Sequence, residues 1–92
     1  MTAAVVYDFA RPDLAEAQES LRNVFGAEAQ ARWRSLLDAA GVSGGEPGAF
    51  DRVVAAMLKA DPVTALCGRA LAIRAATFAH LTDVHEVVRA AA

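Results

Sequence analysis

The segment from Pro62 to Leu81 constrains the fold of this chain most strongly, because it is apolar around its whole circumference. Its sequence, PVTALCGRALAIRAATFAHL, holds two charged side chains, Arg69 and Arg74, in twenty residues. A helix without a polar side is normally buried on every side. We therefore predict either a central helix that the rest of the chain surrounds or a helix whose small-residue side contacts a second subunit.

At 100° per residue this predicted helix has one broad face of larger side chains and an opposite face of small ones. The broad face holds Val63, Leu66, Cys67, Ala70, Leu71, Ile73, Thr77, Phe78 and Leu81. The small face holds Ala65, Gly68, Ala72, Ala75, Ala76 and Ala79. Small side chains let a neighbouring helix approach closely. We therefore predict Ala72, Ala76 and Ala79 as interface positions.

Arg74 lies near the centre of the broad face, where an unpaired charge would be too costly to bury. Its stem can lie along the core while its guanidinium reaches water or a carboxylate at the rim. It can instead pair with an acid across a subunit interface, or bind an anion such as a phosphate or a carboxylate ligand. Asp38, Glu46 and Asp51 are the predicted partners within the chain. Arg69 is interpreted as lying at the boundary of the apolar face, and it is a further candidate for an interface or anion contact.

The rest of the chain predicts an all-α fold, a small four- to five-helix bundle in a single domain, residues 1–92. The predicted helices cover residues 12–25, 27–40, 49–60 and 62–81, with residues 83–91 as a fifth helix or a continuation of the fourth. The glycine-rich GVSGGEPG, residues 41–48, is the clearest loop. Gly26 favours a break between the first two helices, although a single helix through it would cost only about 1 kcal/mol relative to alanine.

Residues 1–11 lack a helical period and are predicted to form an extended N-terminal arm. Val5, Tyr7 and Phe9 alternate with smaller or polar residues, which is typical of an extended segment with one buried side. The arm can lie on the bundle or on a neighbouring chain. In either case Tyr7 and Phe9 are candidate contacts.

The composition favours a folded cytoplasmic domain and disfavours nucleic-acid and membrane partners. Hydrophobic residues make up 55% of the chain and charged residues 22%, a balance that argues against disorder. The net charge of −2 is unlike that of most nucleic-acid binders. A single cysteine and the lack of a secretion signal indicate a reducing cytoplasm. The alanine-rich composition suggests a GC-rich, bacterial genome.

We find no catalytic or metal-binding motif in the sequence. Cys67 has no base near it along the helix and is interpreted as a small buried hydrophobe. His80 and His85 would project about 140° apart on one helix, so they cannot share a metal ion. The GVSGGEPG loop lacks the Lys-Ser/Thr ending of a phosphate-binding loop. We therefore predict no enzyme activity and no cofactor.

A helix-turn-helix is conceivable around the Asp61-Pro62 junction, but the exposed start of its second helix would offer only Thr64 and Arg69 to DNA. We therefore predict a non-catalytic helical protein–protein interaction module. Its expected partner is a second copy, which would give a homodimer, or a larger protein. The alternatives are a DNA-associated regulatory protein and a small anionic-ligand-binding protein that uses Arg74.

Overall fold

The computed structural model describes residues 5–6 and 9–91, with side chains for residues 10–91. It contains the helices α1 (Leu14–Phe25), α2 (Ala29–Ala40), α3 (Ala49–Leu58) and α4 (Pro62–Ala91). The predicted all-α class is confirmed. The count of four to five bundled helices is not confirmed. A 3₁₀ turn, Gly26–Glu28, joins α1 directly to α2 and residues 83–91 continue α4, so the described chain has three separate helical segments.

The N-terminal arm doubles back on itself instead of forming one extended segment. Strands β1 (Val5–Val6) and β2 (Phe9–Ala10) pair antiparallel, with Val5 opposite Ala10 and Val6 opposite Phe9. β1 contacts α4, so the arm lies on its own chain. Tyr7 and the side chain of Phe9 lie outside the described residues, and the contacts predicted for them stay predictions.

Capping residues set both ends of α1. The Asp13 carboxylate accepts a hydrogen bond from the Glu16 backbone N–H at 3.0 Å, which places the start of α1 after Pro12. Gly26 ends α1 with a φ of 57°, a conformation that residues with a side chain rarely adopt. The chain therefore turns at Gly26 and does not run as one helix from residue 12 to residue 40.

One hydrophobic core joins all four helices. Trp33 of α2 is buried in this core. The other fully or nearly fully buried apolar residues of this core include Ala17, Leu21, Leu36, Val53, Val54, Met57 and Leu71. The core lies between α1, α2, α3 and the first half of α4.

α3 and α4 lie very close together at Gly68, which is buried against α3. A β-carbon added at Gly68 would lie only 2.7 Å from the β-carbon of Met57. This close approach requires that the small-residue side of α4 face α3, because any bulkier side chain would push the helices apart. The residues on the opposite side of α4, among them Val63, Leu66 and Ile73, are consequently turned outward.

The sequence had predicted either a central helix or a small-residue side in contact with a second subunit. The structure instead divides both predicted faces, because Leu71 and Phe78 of the broad face are buried, while Ala76 and Ala79 of the small face are exposed.

α4 is one continuous helix of 30 residues and is much longer than the bundle requires. It is about 45 Å long, close to the 49 Å length of the whole molecule. Among residues 79–91 only Leu81 and Thr82 are half-buried, and the others are exposed. Helices in water depend largely on tertiary packing for their stability. The second half of α4 therefore has little support within the described chain.

Candidate functional site: the outer face of helix α4

The side of α4 that points away from α3 is apolar and exposed. We call it the outer face. It consists of Val63, Leu66, Ala70, Ile73, Thr77, His80, Val84 and Val87. Its most exposed aliphatic residues are Leu66, Ile73 and Val87, which keep 64%, 60% and 68% of their surface in water. Scattered exposed leucines and valines are common, but a row along one helix in which six of eight residues are apolar indicates a binding surface.

The residues of the outer face follow one another at alternating intervals of three and four. This alternation averages 3.5 residues, which is the repeat of the helix–helix contact in coiled coils. Val63, Ala70, Thr77 and Val84 occupy the a positions of this heptad repeat. Leu66, Ile73, His80 and Val87 occupy the d positions. The outer face therefore has the pattern of a surface that packs against another helix.

Thr77 and His80, the two polar residues of the outer face, differ in how well they suit contact with an apolar partner helix. The hydroxyl of Thr77 donates a hydrogen bond to the backbone carbonyl of Ile73 at 2.9 Å, so its polar group is satisfied within α4. Thr77 can thus present its methyl group to a partner. His80 is exposed and carries its imidazole at a d position. A polar d residue lowers the stability of a helix pair and restricts its register.

The heptad repeat is present in the sequence, but apolar residues on the opposite side of α4 make it hard to recognise. Leu71 and Phe78, which are buried, fall between the outer-face residues. A helix that is apolar on two sides has no clear polar side, so its periodicity does not show which residues face the core. Gly68 was the remaining signal, because the smallest residue in a helix marks the closest helix–helix contact.

Arg74 lies beside the outer face and is paired within the chain. Its Nη2 atom lies 2.6 Å from Oε2 of Glu16, and both side chains are about two-fifths exposed. The predicted partners Asp38, Glu46 and Asp51 were wrong, because α1 packs along α4 and brings the first turn of α1 to Arg74. The geometry is that of a stem on the core with its guanidinium at the rim.

Glu46 binds its own loop. Its carboxylate accepts hydrogen bonds from the backbone N–H of Ser43, at 2.8 and 3.0 Å, and from that of Gly44, at 2.9 Å. These bonds, that of Ser43 first, lower the pKa of Glu46 to about 2. In a phosphate loop such N–H groups would be directed at the ligand. Here a carboxylate of the chain already occupies them, which agrees with a structural loop.

Asp61 ties the start of α4 to α2. Its Oδ1 accepts from the hydroxyl of Thr64 at 2.7 Å, and its Oδ2 from the Thr64 N–H at 3.2 Å. These two bonds, the hydroxyl bond first, lower the pKa of Asp61. Arg32 of α2 bonds to Oδ1 at 3.1 Å and lies over the ring of Phe25 at 3.9 Å. The first turn of α4 is therefore firmly anchored to the bundle.

An open groove of about 1060 Å³ lies between α2 and α3. Its floor is made largely of small residues: Ala27, Ala31, Ala39, Ala40, Ala55, Ala56 and Ala60. Its rim carries three cations, Arg32, Arg52 and Lys59, together with Glu28 and Asp61. Because both signs of charge are present and Arg32 already contacts both acids, the rim does not favour one class of ligand.

The remaining residues predicted as contacts fall at different places on α4. Arg69 and Ala76 are exposed along one edge of the outer face. Ala79 is also exposed but lies farther round the helix. Ala72 is half-buried against the core. The structure thus brings Arg69 and Ala76 together with the outer face and separates Ala72 and Ala79 from it.

Within residues 10–91, no group of three or more His, Cys, Asp and Glu side chains is placed to hold a metal ion. Cys67 is half-buried and packs on the core. None of the described helices has both the length and the apolar character needed to cross a bilayer. No protein-family model, curated protein or solved structure matches the chain. The physical properties of the outer face therefore carry the functional argument.

Proposed function

We propose that this chain is a non-catalytic helical protein–protein interaction module that self-associates through the outer face of α4. The observation that carries the proposal is the row of exposed aliphatic side chains at coiled-coil spacing. A soluble protein gains by covering such a row with a partner helix. The same contact would supply the packing that residues 79–91 lack.

The exposed apolar surface is large enough for association. Val63, Leu66, Ile73, Val84 and Val87 together expose the equivalent of between two and three whole side chains. Covering them gains about 4–8 kcal/mol per protomer, at about 1.5–3 kcal/mol for each whole side chain. A pair gains twice this amount, against about 4–15 kcal/mol for the lost freedom of two molecules. Because the gain and the cost are of similar size, we expect a concentration-dependent equilibrium between monomer and dimer.

The alternative functions draw less support. An anion bound at Arg74 would have to displace Glu16, which already pairs with the guanidinium. DNA association would need a basic surface, whereas the chain carries a net charge of −2. Docking to a larger protein would use the same outer face, but nothing in the groove or on the rim identifies such a partner.

Sedimentation equilibrium from low to high micromolar concentration tests the proposal. The expected mass rises from that of the 9.6 kDa chain to twice that value. Ile73→Glu places a charge in the middle of the outer face and should keep the chain monomeric. Because Ile73 is exposed, this variant should remain folded, which circular dichroism verifies.

Asn23→Glu is the matched control, since it adds the same charge at an exposed site on α1. This variant should associate like the unmodified chain. A mass of 9.6 kDa at every concentration would refute the proposed function.

A further inference from the structure

The residues of the outer face also indicate the direction in which α4 of a second copy runs. This inference rests on the proposed self-association through α4. Two helices that pack through a and d positions can run parallel or antiparallel, and each direction places different residues opposite one another. The sizes of the outer-face residues, their flanking charges and the uneven support of α4 all distinguish the two directions.

Residue sizes favour the antiparallel direction. In a parallel pair in register each residue faces itself, so Ala70 would leave a gap and two His80 imidazoles would meet. In an antiparallel pair centred near residue 75, Ala70 of one copy faces His80 of the other. The same register places Leu66 opposite Val84, and Ile73 opposite Thr77. Small residues then face large ones, as close packing requires.

The flanking charges favour the same direction. Arg69, Ala76 and Asp83 follow one edge of the outer face at seven-residue intervals, the g positions of the repeat. Arg69 and Asp83 are exposed, and within the described part of the chain neither has an ion-pair partner. In an antiparallel pair g positions face g positions, so Arg69 of each copy meets Asp83 of the other.

A parallel pair would instead bring Arg69 towards Arg74 of the second copy, because g then faces the following e position. The antiparallel arrangement brings the two Arg74 side chains near each other on the opposite edge. Each of them is already neutralised by Glu16 of its own chain. The antiparallel pair therefore gains two contacts between Arg69 and Asp83. Its one like-charge contact, between the two Arg74 side chains, is offset by Glu16 of each chain.

The uneven support of α4 agrees with this direction. The first half of α4 is anchored in the bundle by Gly68 and Asp61, while residues 79–91 have little support. An antiparallel partner lays its unsupported half over the anchored half of the first copy. Both halves are then covered through one two-fold axis, and the assembly closes as a dimer.

We propose that two copies of this chain pair their α4 helices antiparallel about a two-fold axis near residues 75–76, with Arg69 of each copy opposite Asp83 of the other. The four distinct layers are Val63–Val87, Leu66–Val84, Ala70–His80 and Ile73–Thr77. Each layer occurs twice because of the symmetry.

Distances between spin labels test the direction and the register. In a Cys67→Ala background, single labels are attached through Ala90→Cys or Ala76→Cys, both at exposed positions. The antiparallel register separates the two residues 90 by about 40 Å along the axis, from 1.5 Å per residue over 28 residues. It leaves the two residues 76 side by side.

The expected result is one long distance for label 90 and one short distance for label 76. Short distances for both labels would show a parallel dimer and overturn the inference while leaving self-association standing. A long distance for label 76 would refute the register. A chain that sediments as a monomer would remove the proposed function itself.

Charge reversal tests the ion pair independently. Arg69→Asp and Asp83→Arg should each weaken association by roughly ten- to thirtyfold, because every contact occurs twice and opposite charges become like charges. The double variant restores the pairing and should bind within a few-fold of the unmodified chain. A double variant that binds no better than the weaker single variant would show that these two residues do not meet.

Discussion

Gly68→Ala tests the close packing of α4 on α3 that leaves the outer face exposed. The new β-carbon would lie 2.7 Å from the β-carbon of Met57, an atom fixed to the backbone of α3. The helices must therefore separate, and overpacking of this kind costs about 1–3 kcal/mol. Alanine is also the better helix former by about 1 kcal/mol, which offsets part of that cost. We expect a net loss of about 1 kcal/mol in the free energy of unfolding.

For a domain of this size the corresponding drop in melting temperature is about 4–8 °C. Thermal and urea unfolding should be followed by circular dichroism in the Ile73→Glu background, so that association does not contribute. Ser35→Ala, at an exposed position of α2, is the control for helix propensity alone and should be neutral or slightly stabilising. If Gly68→Ala instead stabilised the chain by about 1 kcal/mol, α3 and α4 would not be in close contact. The assignment of the outer face would then fail.

Three further predictions concern other groups. His80→Leu should tighten self-association about tenfold by sedimentation, because leucine suits a d position; unchanged or weaker binding would remove His80 from the contact. Arg74→Met should lower the free energy of unfolding by at most about 1 kcal/mol and preserve the dimer, whereas loss of the dimer would show that Arg74 crosses the interface. Because the pKa of Glu46 is lowered from its ordinary value of 4.5 to about 2, its hydrogen bonds stabilise the loop fully above pH 4.5. This stabilisation is lost as the pH falls through about 2. Over that range the melting temperature should fall more steeply for the unmodified chain than for Glu46→Gln, and identical slopes would contradict the bonding.

The helices were largely predictable because their signals are local. Periodicity located the apolar stripes, while Gly26 and Gly41 marked the ends of α1 and α2, where both glycines adopt positive φ angles. The continuation of α4 through Thr82 was left open, because the apolar pattern keeps its phase with or without a break. In the structure the Thr82 hydroxyl donates to the carbonyl of Phe78 at 2.9 Å and does not cap a new helix.

The arrangement of the helices was much less predictable because it depends on long-range contacts. Arg74 pairs with Glu16, a residue 58 positions away that the sequence assigns only to a helix start. The pairing of β1 with β2 rests on two residues in each strand, too few for a recognisable pattern. The face of α4 that enters the core was hidden by apolar residues on both sides. The contact of Gly68 with Met57 and the burial of Leu71 and Phe78 show which side enters the core.

Amide hydrogen exchange of residues 79–91 at increasing protein concentration tests the central claim most directly. If the outer face of α4 binds a second copy, the exchange of this segment should slow as concentration rises, since a covered helix opens less often. The monomeric Ile73→Glu variant should exchange this segment quickly at every concentration. Equal and concentration-independent rates in the two proteins would contradict the account.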